Sequence, residues 1–492
     1  MPALITADML YNLVQCPHRV TMDAFGDPAK RDEPNAFVQL LWERGHRFEQ
    51  EVIEELKVPF LNLRPHAGEE KKRLTNEAME RGEPLIYNGR ISADDLLGDP
   101  DLLRKEGAGY IAGDIKSGSG EEGPEDNKTP KEHYAVQLSL YTDILERKGK
   151  SAGRHGFIWD INGEEVPYDF TALYGKRNPR TLWDDYQAAL AQARAIIAKT
   201  DRTLPAYAGV CKLCQWYTAC IADLEKADDL TLIPELGRAK RDVMQPYVAT
   251  VREFSEANPA AYLDGKKTIF PGVGLPTLEK FHARAKLLTT KDAKPYLSAP
   301  VKLPLADKEL FFDIETDPMR DLCYLHGFIE RTGGDNSTER FTPFFAEEPT
   351  PEAEEKAFAE AWAYVQASQP CMIYYYSKYE RTHYRLLREK YPRVCTEADV
   401  EAMFDPARAV DLLYDVVRKA TEWPTRDHSI KTLAKYLGFK YRDAYPSGAA
   451  SIEWFHRWVE EGDPAIKQQI LEYNEDDCRA TRVLLDGIRS LT

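Results

Sequence analysis

Gly109-Tyr-Ile-Ala-Gly-Asp114-Ile-Lys116 is the stretch that decides the fold of the first half of the chain. A short run of apolar and small residues leads to an aspartate, and a lysine follows two positions later. Such a run predicts a buried strand, and residues at i and i+2 of a strand lie on the same face. We therefore expect the Asp114 carboxylate and the Lys116 ammonium to lie side by side where the strand ends.

Other residues of the same kind lie on either side of this stretch. Asp94 ends the segment Gly89-Arg-Ile-Ser-Ala-Asp94, and Gln137 and Tyr141 lie one turn apart on a predicted helix. Two carboxylates and a backbone carbonyl can hold Mg²⁺ or Mn²⁺. Such an ion polarises a phosphate and lowers the pKa of the attacking water. The pattern predicts a metal-dependent site that cleaves phosphodiesters.

Four of the eight cysteines enclose this region: Cys16 near the N-terminus, and Cys211, Cys214 and Cys220 as C-x2-C-x5-C. The N-terminus has no signal-peptide pattern, so we expect a cytoplasmic protein in which this spacing indicates a metal site rather than disulfides. Four thiolates suit either zinc or a 4Fe–4S cluster. The spacing alone leaves that choice open.

In this order, residues 1–222 resemble the RecB-like PD-(D/E)xK nucleases that carry an iron–sulfur cluster, a group that includes the CRISPR-adaptation nucleases and AddB. The resemblance implies a 4Fe–4S cluster with a mainly structural role, held by the four cysteines. It also assigns roles within the site: metal ligands at Asp94 and Asp114, a catalytic Lys116, and positioning of the site or of the DNA strand by Gln137 and Tyr141.

The same resemblance implies one more metal ligand on the first long helix, predicted over residues 37–56. His46 and Glu49 lie three residues apart and so share one face of that helix. Related nucleases often place a histidine directly before the glutamate, where this chain has Phe48. Both His46 and Glu49 therefore stay candidates.

A second acidic motif opens the last part of the chain. Phe311-Phe-Asp313-Ile-Glu315-Thr316 predicts a buried strand with two acids on one face. Because buried like charges are costly, a strand that keeps both usually has a cation between them. Tyr473 and Asp477 lie one turn apart, in a segment expected to begin a helix.

These elements resemble the DEDDy 3′→5′ exonucleases of the ribonuclease-H-like fold. The resemblance implies two metals bound by Asp313, Glu315 and Asp477, and a water oriented by Tyr473. The family's middle motif has an aspartate where this chain has Glu380, and Asp411 is an alternative for that place. A domain that binds nucleic acid without cleaving it stays an alternative as well.

Between the two motifs, Pro271-Gly272-Val-Gly274, followed by a helical segment, resembles the hairpin of a helix-hairpin-helix motif. Glycines let the backbone approach a phosphate, amides at the next helix N-terminus can bind it, and Lys280 adds charge. A similar segment 37 residues earlier has Glu235 in place of the first glycine. An ordinary glycine-capped helical linker is the alternative.

The whole chain of 492 residues is long enough for several domains. We predict an α/β protein with a restriction-endonuclease-like PD-(D/E)xK domain (1–225), a helix-hairpin-helix linker (226–300) and a ribonuclease-H-like domain (301–492). The net charge of −16 argues against a generic basic nucleic-acid coat, so contacts with nucleic acid must be local. No apolar run reaches the ~20 residues that a membrane span requires.

The predicted function is a nuclease with two hydrolytic centres that uses Mg²⁺ or Mn²⁺ and acts on DNA with single-stranded character, in repair or in defence against foreign DNA. The chain has no G-x4-G-K-[ST] motif, so unwinding would need a helicase partner. Two alternatives stay open: an RNA-processing enzyme that uses the C-terminal site, and a non-catalytic iron–sulfur module of a larger complex.

Overall fold

The computed structural model describes residues 4–34, 36–123, 128–175, 178–443 and 447–491, with only the backbone at 36 and 37. It divides into two compact units, one of Met1–Pro205 with Val210–Cys220 and one of Ala206–Gly209 with Ile221–Thr492. Both units are mixed α/β, which confirms the predicted fold class. No helix in the described ranges is both long enough and apolar enough to cross a bilayer.

The strands of the first unit are β1 (Ile5–Thr6), β2 (Leu61–Asn62), β3 (Leu85–Tyr87), β4 (Ile91–Ala93), β5 (Leu96–Gly98), β6 (Leu102–Glu106), β7 (Gly109–Ile115), β8 (Glu121–Glu122), β9 (Thr129–Pro130), β10 (His155–Trp159) and β11 (Glu165–Asp169). Its helices are α1 (Ala7–Gln15), α2 (Pro17–Phe25), α3 (Ala36–Glu55), α4 (Gly68–Arg81), α5 (Glu132–Arg147) and α6 (Leu182–Ile197), and α7 (Tyr217–Ala227) begins in this unit.

The main sheet of the first unit has the order β11-β10-β7-β6-β3-β2 within the described residues. Its central strand β7 is buried along its whole length, as a strand covered on both faces requires. Gly113 on this strand leaves room for the ring of Phe157 on β10, which would lie 2.2 Å from an added Cβ. Helix α5, buried from Tyr134 to Leu145, packs on β7 and β10.

The second unit contains strands β12 (Leu263–Asp264), β13 (Lys267–Thr268), β14 (Tyr296–Leu297), β15 (Lys308–Asp317), β16 (Leu322–Thr332), β17 (Asp335–Phe345), β18 (Met372–Tyr375), β19 (Ala409–Asp411) and β20 (Thr421–Glu422). Its helices are α8 (Gly237–Met244), α9 (Val251–Glu256), α10 (Leu275–Thr289), α11 (Pro351–Ala367), α12 (Tyr379–Lys390), α13 (Glu397–Met403), α14 (Arg418–Ala420), α15 (Ile430–Tyr436), α16 (Gly448–Glu461) and α17 (Pro464–Arg489).

Its main sheet has the order β17-β16-β15-β18-β19, with antiparallel pairs on one side of β15 and parallel pairs on the other. Helix α17 packs against β15 and β16. The sequence placed Tyr473 and Asp477 at the start of a helix, and this expectation was wrong. The helix begins at Pro464, where Asp463 caps it by accepting a hydrogen bond from the Ala465 amide, so both residues lie near its middle.

Candidate metal centres

The first group of charged side chains lies where β6 and β7 run side by side. Asp101, directly before β6, donates its amide hydrogen to Asp114 Oδ1 at 3.3 Å, and its Oδ2 accepts the Ile115 amide at 2.8 Å. Lys116 follows the last residue of β7, and its Nζ lies 2.9 Å from Asp114 Oδ2. Two carboxylates and a lysine therefore meet where β6 begins and β7 ends, with Asp114 buried.

The electrostatics of this group suit a cation. Burial and then the Asp114 carboxylate raise the pKa of Asp101 to about 8. Burial alone would lower the pKa of Lys116, but Asp114 and Asp101 outweigh it and raise that pKa above its ordinary value. Two neighbouring acids share one ammonium, so additional positive charge would stabilise the ionised pair.

Asp94 is not brought to this group. It lies in the tight turn between β4 and β5 with a left-handed φ of 53°. Its side chain is 70% exposed, and its Oδ2 accepts a hydrogen bond from Arg147 at 2.7 Å. Asp101, rather than Asp94, is the second carboxylate beside Asp114. The available sequence signal was an acid directly before the strand that pairs with Gly109–Ile115, in Gly98-Asp-Pro-Asp101.

The two candidates for a further ligand, both on helix α3, differ in burial and in contacts. Glu49 is half-buried, accepts the Tyr87 hydroxyl at 2.7 Å, and is one of the carboxylates that raise the pKa of Asp101. His46 is exposed. Of the two, Glu49 is the residue that faces the acidic pair.

The predicted positioning residues lie on the buried side of α5. Gln137 donates to Asp8 Oδ1 at 3.4 Å, and its own Oε1 is buried without a hydrogen-bond partner among the described residues. Tyr141 is buried, and burial followed by the carboxylate of Asp114 raises the pKa of its hydroxyl well above the ordinary value. The structure therefore places Tyr141 beside the acidic pair.

The four candidate cluster ligands all belong to the first unit. Cys16 is the residue between α1 and α2, and its sulfur is near enough to Cys214 to act on the pKa of that thiol, which burial raises. Asp23 on α2 accepts hydrogen bonds from Trp216 Nε1 and Gln215 Nε2, both at 2.7 Å. These hydrogen bonds connect the segment that begins at Cys16 with the segment that carries Cys211, Cys214 and Cys220.

The second acidic group is more compact. Within the described residues, Asp313, Glu315 and Asp477 form the one set of three potential ligand side chains whose donor atoms all lie within 4.8 Å of one another. Burial and then Asp477 raise the pKa of Asp313 and bring that of Glu315 to about 8. Three carboxylates this close are the kind of oxygen site that Mg²⁺ and Mn²⁺ occupy.

A close approach of α17 to the sheet makes this group possible. Asp313 pairs across the strands with Gly327, where an added Cβ would lie 1.6 Å from Asn474 Oδ1. Only a glycine leaves room there for the Asn474 side chain, whose Nδ2 donates to Asp313 Oδ2 at 2.8 Å. Asp477 follows one turn later and so reaches the same two acids.

Two side chains of this centre were missed in the sequence. Lys431 at the start of α15 donates to Asp477 Oδ2 at 3.0 Å and to the Tyr473 hydroxyl at 2.9 Å. Tyr441 donates to Asp477 Oδ1 at 2.7 Å. Burial would lower the pKa of Lys431, but Asp477 raises it above its ordinary value. Both residues are more than 30 positions from Asp477, so no local pattern indicated them.

Glu380 also lies at this centre. It is buried at the start of α12, and its Oε2 has no hydrogen-bond partner among the described residues. Burial raises its pKa well above the ordinary value, with smaller contributions from Asp411, Asp477 and Glu315. Asp411 has another use, since its Oδ1 accepts the amides of Leu413 and Tyr414 at 2.9 and 3.0 Å and caps a π-helical turn.

The two hairpin segments of the linker differ in their side-chain contacts. Gly272 has a left-handed φ of 76° and Gly274 caps α10. In the earlier copy Glu235 takes a similar φ of 66°, and its carboxylate lies 2.9 Å from the fully buried Arg284. Lys280 donates to the Arg418 carbonyl at 2.8 Å and is half-buried, so part of its hydrogen-bonding capacity is used inside the unit.

Each of the two mixed α/β units holds a group of carboxylates beside a lysine, an arrangement suited to metal-dependent cleavage of phosphodiesters. Comparison with family models agrees. Residues 18–221 match the PD-(D/E)XK nuclease superfamily, and residues 310–488 match the RNase_H superfamily. A search of curated proteins found no match. The chain therefore combines a nuclease domain of the first superfamily with a domain of the second, as the sequence motifs predicted.

Proposed function

We propose that this protein is a Mg²⁺- or Mn²⁺-dependent nuclease with two hydrolytic centres, acting on DNA with single-stranded character in repair or in defence against foreign DNA. The observation that carries the proposal is the compact group of Asp313, Glu315 and Asp477 in the RNase_H superfamily domain. Three acids held within 4.8 Å of one another, beside a fourth at Glu380, are costly unless cations are bound there.

At this second centre the side chains have separable tasks. A divalent ion held there would polarise the scissile phosphate and lower the pKa of the attacking water. The Tyr473 hydroxyl can orient that water, and Lys431, which donates to both Tyr473 and Asp477, can hold the hydroxyl in place and offset phosphate charge. This chemistry trims a strand from its 3′ end in the proofreading-type enzymes that the motif resembles.

At the first centre we propose Asp101, Asp114 and Glu49 as the metal ligands, in place of the predicted Asp94. Lys116, 2.9 Å from Asp114, would orient the water or neutralise charge on the phosphate. Gln137 has a buried oxygen without a hydrogen-bond partner among the described residues, and Tyr141 is near enough to the acidic pair for both carboxylates to raise the pKa of its hydroxyl. Burial and the Asp114 carboxylate raise the pKa of Asp101, and Lys116 lowers it only in part, so a bound cation would stabilise the ionised pair.

We propose that Cys16, Cys211, Cys214 and Cys220 hold a 4Fe–4S cluster. Four thiolates suit either a tetrahedral zinc or a 4Fe–4S cluster, and the resemblance to the iron–sulfur PD-(D/E)xK nucleases favours the cluster. In such a cluster each cysteine binds a different iron. The cluster would fasten the two segments that Asp23 already joins.

The nuclease proposal is tested with anaerobically purified protein and end-labelled single- and double-stranded DNA and RNA of matched sequence, with Mn²⁺ or Mg²⁺. Wild type is compared with Lys116→Ala, Asp313→Ala and the double variant. We expect each single variant to lose a different product pattern and the double variant to lose both. Identical losses in the two single variants would refute separate centres, and a preference for RNA would refute the DNA substrate.

The cluster proposal has its own test. Cys214→Ser should remove visible absorbance near ~400 nm and destabilise the first unit, because the free energy of metal binding is folding free energy. Cys395→Ser, which changes a buried cysteine of the second unit, should keep the absorbance. A wild-type protein with one bound zinc and no visible absorbance would exclude the cluster.

A further inference from the structure

A cavity of about 340 Å³ lies in the first unit, between α2, the start of α3 and the segment that carries the later cysteines. Its size falls in the range of small-ligand sites. Neither acidic centre contributes to its lining. The side chains that decide what it could bind are Asn12, Arg19, Arg31, Trp42 and Gln215.

The lining combines a flat aromatic surface with positive charge. Trp42 is 56% exposed on α3, unusually open for a tryptophan. Arg19 and Arg31 line the cavity together with a single acid, Asp23. The Asp23 carboxylate is already taken by Trp216 and Gln215 at 2.7 Å, with Arg19 at 3.7 Å, so the cavity keeps an excess of positive charge.

Hydrogen-bonding groups remain available beside this charge. Arg31 donates one N–H to Gln215 Oε1 at 2.5 Å, which leaves other donors of its guanidinium fork for an anion. The Asn12 side chain makes no hydrogen bond to any residue that the structure describes. A planar indole for stacking, a guanidinium for a phosphate and an amide for a base edge are the groups that bind a nucleotide.

The position of Trp42 along α3 links this cavity to the first centre. Trp42 and Glu49 are seven residues apart, which places them on the same side of the helix and about 10 Å apart along its axis. That distance corresponds to about three nucleotides of a stacked strand at roughly 3.4 Å each. A strand with its phosphate at the acidic pair could therefore place a base about three nucleotides away on Trp42.

We infer that this cavity binds one nucleotide unit, with its base stacked on Trp42 and its phosphate held by Arg31 and Arg19, and that it holds the strand a few nucleotides from the first hydrolytic centre. The inference deepens the proposed function and rests on it for the identity of the strand. The same chemistry would also accept a free mononucleotide, and the test separates these two sources.

The test uses the anaerobic full-length protein without added divalent metal, so that binding is measured without cleavage. Anisotropy of a fluorescein-labelled 20-nucleotide oligo(dT) gives the affinity for a single strand, and dTMP serves as a competitor. Trp42→Ala and Arg31→Ala should each weaken strand binding by about 5- to 100-fold. Trp42→Phe should restore most of the loss, since it keeps an aromatic face.

Matched controls are Leu173→Ala and Arg81→Ala, which remove an exposed apolar group and an exposed arginine of the same unit outside the cavity. They should stay within twofold of wild type. Competition by dTMP that disappears in Trp42→Ala would show a site that accepts the free nucleotide. Strand binding that weakens without any dTMP competition would show a site for a strand only. Unchanged strand affinity in both cavity variants would overturn the inference.

A second measurement avoids variants that fail to fold. Ultraviolet crosslinking of 5-iodouracil-substituted single strands to the wild-type protein should attach the base to the α3 peptide that contains Trp42, and crosslinks found exclusively elsewhere would overturn the inference. Cleavage with Mn²⁺ is recorded separately. If the wild type cleaves and Trp42→Ala binds the strand normally, the nucleotide-binding role of the cavity is disproved and the nuclease proposal stands. If the wild type crosslinks at Trp42 but never cleaves, the nuclease proposal is disproved and the binding role of the cavity stands.

Discussion

Both acidic centres hold neighbouring carboxylates that repel one another, and each centre balances this negative charge with a lysine placed in a different way. In the first unit, two neighbouring carboxylates share Lys116, which directly follows the strand that carries Asp114. In the second unit, three carboxylates lie within 4.8 Å of one another, and Lys431 reaches them from a helix 46 positions earlier than Asp477. The first centre is built mainly from adjacent strands, and the second needs a helix to arrive from the far end of the chain.

This difference decides what each centre tolerates. Asp101 and Asp114 lie at the paired ends of β6 and β7, and each carboxylate accepts a hydrogen bond from a backbone amide of the other strand's end. Their positions therefore depend mainly on sheet register. The second centre depends on α17 lying close enough for Asn474 to fill the space above Gly327. At the first centre we therefore expect the largest losses of cleavage activity from substitutions of single acids. At the second centre we expect substitutions of the supporting residues to lower activity more than they do at the first.

The sharpest test of the first centre compares two aspartates. Asp101→Asn should lower first-centre cleavage by about 1000-fold, because the site loses a carboxylate that would hold the metal ion, and such an ion stabilises transition-state charge by several kcal/mol. Asp94→Asn removes only an exposed ion pair with Arg147 and should stay within twofold. Both are measured in the Asp313→Ala background, where only the first centre can act. If Asp94→Asn lowers cleavage as much as Asp101→Asn does, Asp94 acts in the first centre, as the sequence predicted.

Sequence reasoning predicted the parts of both centres that follow from local periodicity. Asp114 with Lys116 and Asp313 with Glu315 were found because i and i+2 share a strand face, and the mixed α/β fold was confirmed by the sheets that carry them. Asp101 was missed because several acids crowd residues 94–101, and only the turn at Asp94 and the register of β6 distinguish them.

What long-range packing decides could not be predicted in the same way. Lys431 and Tyr441 meet Asp477 through the folding of α15 and the segment after it onto α17, and neither lies at a helical or strand interval from its partner. The start of α17 was misplaced because the Asp463-Pro464 signal lies more than two turns before the motif. Whether these residues act in catalysis stays a prediction.

The second centre is tested through its lysine. Lys431→Met removes a charged hydrogen bond to Asp477 and one to Tyr473, so kcat for 3′ trimming should fall by about 10- to 100-fold. The site also loses a positive charge that competes with metal for Asp477, so the metal concentration for half-maximal activity should fall as well. Both quantities are measured in the Lys116→Ala background.

The matched control for this variant is Lys435→Met, one turn further along α15 and exposed. It should leave both quantities unchanged. A lower kcat with a higher metal requirement would contradict this role, because it would mean that Lys431 helps to build the metal site rather than to balance its charge.

The smallest effect is expected for the third acid of the first centre. Glu49 acts on the pKa of Asp101, but among the described residues it forms no compact group of three with Asp101 and Asp114, and Tyr87 already donates to it. Glu49→Gln keeps the shape and an acceptor for that hydroxyl, so metal affinity at the first centre should fall by only about 10-fold. Its effect is measured as the Mn²⁺ dependence of cleavage in the Asp313→Ala background, beside His46→Gln, an exposed residue on the same helix. If His46→Gln raises the Mn²⁺ concentration needed for half-maximal cleavage and Glu49→Gln does not, the histidine is the metal ligand on α3. In that case α3 must turn toward the metal when the metal binds.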